Sequence, residues 1–182
     1  MSRVGKKPIL IPAGVEVKIE GDKVFVKGPK GELQREVRPE IKIETKEGKI
    51  FLSEEKENKK SKALWGLTRM LIFNMVKGVV DGYEKKLQIE GIGYKANMEG
   101  GNLVLQVGFS HPVKVKKPEG INFSAEKNII TISGINKELV GQTAAKIRAI
   151  RPTEPYKGMG LKYVGEIVRR KEGKKVVTAG GA

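Results

Sequence analysis

Apolar and polar residues alternate along the first part of the chain. The alternation covers residues 15–26 and 41–54, and each run is interrupted by a short polar break, at Gly21 and at Gly48. Such a pattern is typical of half-buried β-hairpins. Residues 28–33 supply a further glycine-containing turn. The first part of the chain is therefore predicted to form antiparallel strands.

The apolar period changes to helical spacing at about Asn58. We predict a helix that begins with Asn58 or Ser61 as its cap and ends at Gly78 or Gly82. Its apolar stripe is predicted to be Leu64, Leu67, Leu71, Met75 and Val79. The apolar stretches are judged too short to cross a bilayer, so no transmembrane helix is expected, and the basic N-terminus lacks a signal-like apolar region.

The second part of the chain repeats this scheme. Residues 94–108 and 121–133 alternate like the earlier hairpins, and a helical stripe follows Asn136 and stops at Pro152. The repeat has a period of roughly eighty residues. We therefore predict an α+β fold, with two tandem repeats of a small, mainly antiparallel sheet packed against one helix.

The predicted domain boundaries follow from this repeat. Residues 1–81 form the first copy, residues 82–175 form the second copy with a basic extension, and residues 176–182 form a flexible tail.

Composition narrows the chemistry that the chain can perform. The 182 residues contain no cysteine and one histidine, which excludes disulfides, thiolate catalysis, cysteine-bound zinc and a histidine-rich metal site. No catalytic residue, metal or cofactor is expected. The net charge of +15 indicates nucleic acid as a partner, ahead of an anionic membrane surface.

The basic residues are concentrated after the second helix. Residues 1–81 carry a net charge of +6 and mix their signs, whereas residues 82–182 carry +9. From residue 148 onward three glutamates accompany nine basic residues, which are Arg148, Arg151, Lys157, Lys162, Arg169, Arg170, Lys171, Lys174 and Lys175. The electrostatic footprint for RNA is therefore predicted in the second copy. Basic residues on the first helix avoid its stripe and are interpreted as a solvated face.

The stretch EPYKGMGLKY, residues 154–163, is predicted to be an irregular RNA-binding loop. Gly158 and Gly160 would let the backbone approach a phosphate and point N–H groups at it. Tyr156 could stack on a base or bond to a ribose hydroxyl. An ordinary glycine loop with solvated lysines is the alternative. The RNA-binding candidates are Arg148, Arg151, Tyr156, Lys157, Gly158, Gly160, Lys162, Tyr163, Arg169, Arg170, Lys171, Lys95 and His111.

Two other motifs allow enzymatic interpretations that we consider weaker. The glycines of GIGYKA, residues 91–96, match a short dinucleotide fingerprint, but an alternating strand follows them instead of the required helix. His111 has no triad or nucleophile motif, so it is interpreted as a loop residue that fixes a turn or touches RNA. An enzyme and a free-standing DNA-binding or RNA-chaperone module remain open alternatives.

Several motifs in order resemble one known family. MSRVGKKPI, VKGPKGEL, GIGYKA, VGFSHP, IRAIRPTEPYKGMGLKY and EIVRRKEGKK are similar to those of the bacterial form of the sixth protein of the large ribosomal subunit. The resemblance covers all but the last few residues. It implies a duplicated α+β fold without enzymatic activity or a small-molecule substrate, in a cytoplasmic protein located on the ribosome.

The resemblance also implies partners and contacts. It implies binding to 23S ribosomal RNA, mainly through the second domain, near the sarcin–ricin loop and the stalk base where translational GTPases dock, beside neighbouring large-subunit proteins. The contact block maps to Tyr156, Lys157, Gly158 and Gly160. Met159 stands where the family usually has lysine, which puts one phosphate contact in doubt.

Overall fold

A computed structural model describes residues 3–55 and 58–174 of the chain, with the side chain of Lys59 left aside. The predicted tail lies outside these ranges. The first half forms β1 (Ile9–Leu10), β2 (Glu16–Glu20), β3 (Lys23–Gly28), β4 (Gly31–Glu36), β5 (Ile41–Lys46), β6 (Lys49–Glu54) and α1 (Lys59–Val80). One antiparallel sheet has the strand order β2-β3-β4, and the other has the order β1-β6-β5.

The second half has the same plan with one added strand. It forms β7 (Tyr83–Glu90), β8 (Lys95–Glu99), β9 (Asn102–Gln106), β10 (Val113–Val115), β11 (Ile121–Glu126), β12 (Ile129–Gly134), α2 (Lys137–Ile150) and β13 (Gly160–Tyr163). Its sheets have the orders β10-β9-β8 and β11-β12-β7-β13. Because β7 lies beside β12 as β1 lies beside β6, the two halves are copies of one α+β unit, and the predicted fold class is confirmed.

The chain contains two compact units. One extends to Tyr83 and includes Gly134–Val140, and the other takes Glu84–Ser133 and the residues from Gly141 onward. The domain boundary between residues 81 and 82 stays a prediction.

The hairpin turns place a glycine where the backbone is left-handed. Gly21 has a φ of 58° and Gly48 a φ of 70°, values that glycine adopts without steric cost. In the first unit, the inward residues of the strands pack on α1 in a core that includes Val24, Val26 and Ile50. The alternation in the sequence therefore predicted the turns and the inward face of β3 correctly, whereas Ile19 in the same run is 37% exposed.

The predicted stripe of α1 is partly wrong. The helix begins after Asn58, whose N–H donates to the Ser61 hydroxyl (2.8 Å), as the predicted capping residues require. However, Leu67 is 54% exposed. Met75 and Val79 of the predicted stripe are buried, and the other buried residues on this side of the helix are Ser61, Trp65, Thr68, Ile72 and Val76. A helix that is apolar on most of its faces fits two adjacent stripes, so spacing alone could not choose between them.

One expectation about membranes also changes. The segment Lys60–Val80 is long and apolar enough to cross a bilayer by length and composition, so the prediction that no stretch has this length is wrong. Several of its apolar residues pack in the protein core, since Ile72, Val76 and Val79 are buried in the core of the first unit. A core helix of this kind meets the same criteria as a membrane span.

Candidate nucleic-acid interface

The loop between α2 and β13 is closed by its own backbone hydrogen bonds. The Glu154 N–H donates to the Met159 carbonyl oxygen (2.8 Å), and the Gly158 N–H donates to the Glu154 carbonyl oxygen (3.0 Å). The Leu161 N–H donates to the Arg151 carbonyl oxygen (2.9 Å), where the chain leaves the helix. These bonds fold residues 152–160 into a compact turn.

The two glycines of this loop serve its geometry. Gly158 has a φ of +74° and Gly160 a φ of +140°. A Cβ on Gly160 would lie 2.7 Å from the Pro152 carbonyl oxygen and 2.8 Å from the Thr153 Cα. Because the Gly158 N–H is bonded inside the loop, our interpretation that it points at a ligand is wrong. Contact of either glycine with RNA stays a prediction.

The end of EPYKGMGLKY is a strand, which we did not predict. Residues Gly160–Tyr163 pair antiparallel with β7 at the edge of the four-stranded sheet. Leu161 is fully buried there. Lys162 forms an ion pair with Glu90 (2.5 Å), and its side chain is only 17% exposed. Lys162 is therefore largely engaged by the protein itself.

The segment after β13 returns to the loop. The Lys171 N–H donates to the Pro155 carbonyl oxygen (2.8 Å). The Arg170 guanidinium lies against Gly158, since a Cβ on that glycine would be 3.2 Å from its Nε. The two segments thus bring together five exposed side chains, which we call the C-terminal basic surface: Tyr156, Lys157, Arg169, Arg170 and Lys171.

Arg148 is held beneath this segment by Glu166. Its Nε donates to one carboxylate oxygen (3.2 Å) and its Nη2 to the other (2.5 Å). The Tyr163 N–H also donates to Glu166 (2.9 Å), and the Arg148 guanidinium lies 5.7 Å from the centre of the Tyr163 ring. The bonds from Arg148 and then from Tyr163 lower the pKa of Glu166. Arg148 and Tyr163 are therefore partly engaged inside the protein.

Three other candidates lie elsewhere in the same unit. The Arg151 guanidinium lies 5.6 Å from the centre of the Phe109 ring, and Phe109 shares the β9–β10 connection with exposed His111. Lys95 is exposed at the start of β8. The binding of these three residues to RNA stays a prediction.

One glycine of GIGYKA makes room for an aromatic ring. A Cβ on Gly91 would lie 2.6 Å from the Tyr94 ring, and a Cβ on Gly108, outside the motif, would lie 3.1 Å from it, whereas a Cβ on Gly93 meets no atom within 4 Å. Strand β8 follows this turn, so the helix that a dinucleotide site needs is absent from this position. Within residues 3–55 and 58–174, no group of three or more His, Cys, Asp or Glu side chains is placed to hold a metal.

Comparison with known proteins gives consistent matches. The sequence profile described as "Ribosomal protein L6" matches residues 11–82 and 90–164. "Large ribosomal subunit protein uL6" of Acaryochloris marina is 54% identical over 175 residues, covering 96% of this chain and 98% of that protein. The proteins of the same name from Carboxydothermus hydrogenoformans and Phenylobacterium zucineum are 54% and 53% identical, covering 96% of this chain and 96% and 99% of their own lengths.

The fold and the site define a class of protein, namely duplicated α+β proteins that carry a basic surface. Within that class, the matches identify the family. The chain belongs to the ribosomal protein L6 family, and the resemblance found in its motifs is confirmed. Members of this family are structural proteins and not enzymes, which closes the enzymatic alternative.

Proposed function

We propose that the protein is a structural constituent of the large ribosomal subunit that binds 23S ribosomal RNA mainly through its second domain. One observation carries the RNA-binding part of this proposal. The Lys171 N–H bond to Pro155 brings basic residues from two separate segments into one exposed surface. Membership of the L6 family supports the assignment to the ribosome.

The chemistry of the C-terminal basic surface suits an RNA backbone. Lys157, Arg169, Arg170 and Lys171 are exposed and can each neutralise a phosphate. Tyr156 is 54% exposed and can stack on an unpaired base or bond to a ribose hydroxyl. Arg148 and Lys162 contribute less directly, because each has a carboxylate partner within the protein.

The resemblance of the motifs supports a finer location. The proposed site is near the sarcin–ricin loop and the base of the stalk, where translational GTPases dock and where neighbouring large-subunit proteins are the further partners. The proposed compartment is the cytoplasm, and neither a membrane nor a small-molecule substrate is part of the proposal.

Co-sedimentation tests this proposal directly. The purified protein is mixed with large subunits lacking it, and the particles are pelleted through a cushion containing high salt. We expect the protein to remain with the particles, because a structural constituent combines many contacts. A free-standing RNA chaperone or DNA-binding module would be released by the wash. Small subunits serve as the control particle, and equal retention on them would contradict the proposal.

A further inference from the structure

We infer that Glu166 is a positioning residue for the C-terminal basic surface, so that this acidic side chain strengthens the binding of RNA. The inference rests on the proposed function, since it concerns how the same surface is held for binding. It differs from the ordinary expectation that a carboxylate near a phosphate-binding surface repels the ligand.

Glu166 connects its own segment to two other parts of the second unit. Its carboxylate accepts two bonds from Arg148 near the end of α2 and one from the Tyr163 N–H at the end of β13. Its own N–H donates to the Tyr163 carbonyl oxygen (3.0 Å), which closes a turn. A bidentate bond between arginine and a carboxylate fixes distance and orientation more strictly than a single bond does.

The segment that follows β13 depends on side-chain bonds of this kind for its position. Residues 164–174 form no helix or strand, so the ladder of backbone bonds that orders a regular element does not extend to them. Besides the turn at Glu166, backbone bonds join this segment to the rest of the unit from Val164 to Lys86 at its start and from Lys171 to Pro155 further on. Glu166 lies between these two points, and Arg169 and Arg170 follow it immediately.

The position of Arg170 depends on the course of the preceding residues 164–168. Its guanidinium lies over Gly158, which directly follows exposed Lys157 in the chain. If residues 164–168 moved away from α2, Arg169 and Arg170 would sample many positions, and RNA would have to order them on binding. Ordering long, flexible side chains on binding carries an entropic cost, which weakens association.

A matched pair of variants separates positioning from simple charge. Glu166→Gln and Glu154→Gln each remove one negative charge from the same region. Glu154 is exposed, and within the described residues no hydrogen bond or ion pair of its carboxylate is found. Electrostatics alone predicts that both variants bind RNA at least as tightly as the wild type. Positioning predicts that only Glu166→Gln binds more weakly.

Full-length proteins are titrated against a 23S RNA fragment containing the sarcin–ricin loop, at several salt concentrations and well below their melting temperatures. For Glu166→Gln we expect affinity to fall about threefold or more and the log–log salt slope to fall by about one unit, as for the loss of one phosphate contact. For Glu154→Gln we expect unchanged or tighter binding. The Lys171 amide should also exchange faster in Glu166→Gln, because its bond to Pro155 closes the same segment.

A double-mutant cycle supplies the second readout. If Glu166 acts through the basic side chains that follow it, the effect of Glu166→Gln should shrink in an Arg169→Gln, Arg170→Gln background. Normal or tighter binding by Glu166→Gln, or the same effect in both backgrounds, would overturn the inference while leaving the proposed function intact. Failure of the wild-type protein to bind the fragment would instead overturn the proposed function, and the inference with it.

Discussion

Gly160 shows why a single glycine can be required by the fold. A Cβ there would lie 2.7 Å from the Pro152 carbonyl oxygen, and that neighbour is backbone which cannot rotate away. Its φ of +140° adds strain for any other residue. We therefore expect Gly160→Ala to lower the free energy of unfolding by about 1–3 kcal/mol, the usual cost of a strained backbone position. Urea denaturation followed by circular dichroism measures this effect.

Gly141 provides the matched control for that substitution. It lies inside α2, and a Cβ built on it meets no atom within 4 Å. Gly141→Ala should raise the free energy of unfolding by about 0.5–1 kcal/mol, because alanine loses less backbone entropy in a helix. If Gly160→Ala were as stable as the wild type, the close approach to Pro152 would not constrain this position.

Glu166 makes stability depend on pH in a defined direction. Its pKa lies below the ordinary 4.5 in the folded protein, because Arg148 and the Tyr163 N–H bind the charged form. Its contribution is therefore present above pH 4.5 and is lost as pH falls through the folded pKa. We expect the wild type to be more stable than Glu166→Gln at about pH 6, and the difference to shrink toward about pH 3.

Thermal melts of the two proteins across this range measure the difference. Glu44, whose pKa is lowered to about 2 by the exposed Lys46 and Lys42, titrates in both proteins and cancels from the comparison. A difference that grew on acidification would contradict the assignment of Glu166 as a charged hydrogen-bond acceptor.

Strand β13 joins the candidate interface to the core of the second unit. Leu161 is fully buried in it, whereas Val164, just beyond the strand, is 50% exposed. We expect Leu161→Ala to destabilise the protein by about 2–5 kcal/mol through lost burial and the cavity that remains. Val164→Ala should change stability by less than about 0.5 kcal/mol, as a surface substitution does. Denaturant titrations compare them, and equal effects would mean that β13 is not part of the core.

Elements with many local signals were predictable from the sequence. The hairpins were found because alternation and a glycine turn specify both strands and the connection between them. Of the residues predicted for the ends of α1, Asn58 and Gly82 flank the helix, whereas Ser61 and Gly78 lie inside it. The side of α1 that faces the core could not be predicted in the same way. Its apolar residues surround much of the helix, and only the partner sheet decides which of them are buried.

The site was less predictable than the fold, for a physical reason. Strand β13 has four residues and begins with a glycine, and its partner β7 lies about seventy residues earlier in the chain. The bonds from Lys171 to Pro155 and from Arg148 to Glu166 also join residues that no local pattern connects. The sequence located the basic run correctly, but which of its members are exposed depends on carboxylates brought in by folding.

At the scale of the whole molecule, charge is best tested without cutting the chain. A break at residues 81 and 82 would separate Gly134–Val140 from the compact unit that contains them. The two fragments would then differ in folding as well as in charge. Substitutions on the intact protein avoid this difficulty, because both sets can remove the same number of charges.

The last prediction compares two such sets. One neutralises Lys157, Arg169, Arg170 and Lys171 to glutamine, and the control neutralises the exposed first-unit residues Lys18, Lys23, Lys27 and Arg38. Both variants lose four positive charges from a total of +15, so any effect of net charge alone is the same in each. If RNA binds at the C-terminal basic surface, the first set should reduce the log–log salt slope by up to about three units, and the control by much less.

Filter binding of both variants to the 23S RNA fragment, at four or more salt concentrations, gives the two slopes. Thermal melts should show little change for either, because every substituted side chain is exposed. Equal losses of affinity and slope would mean that the protein attracts RNA through its overall field. A larger loss in the first set would place the phosphate contacts on the surface that the Lys171–Pro155 bond assembles, since the two proteins differ in where their charge lies and not in how much they carry.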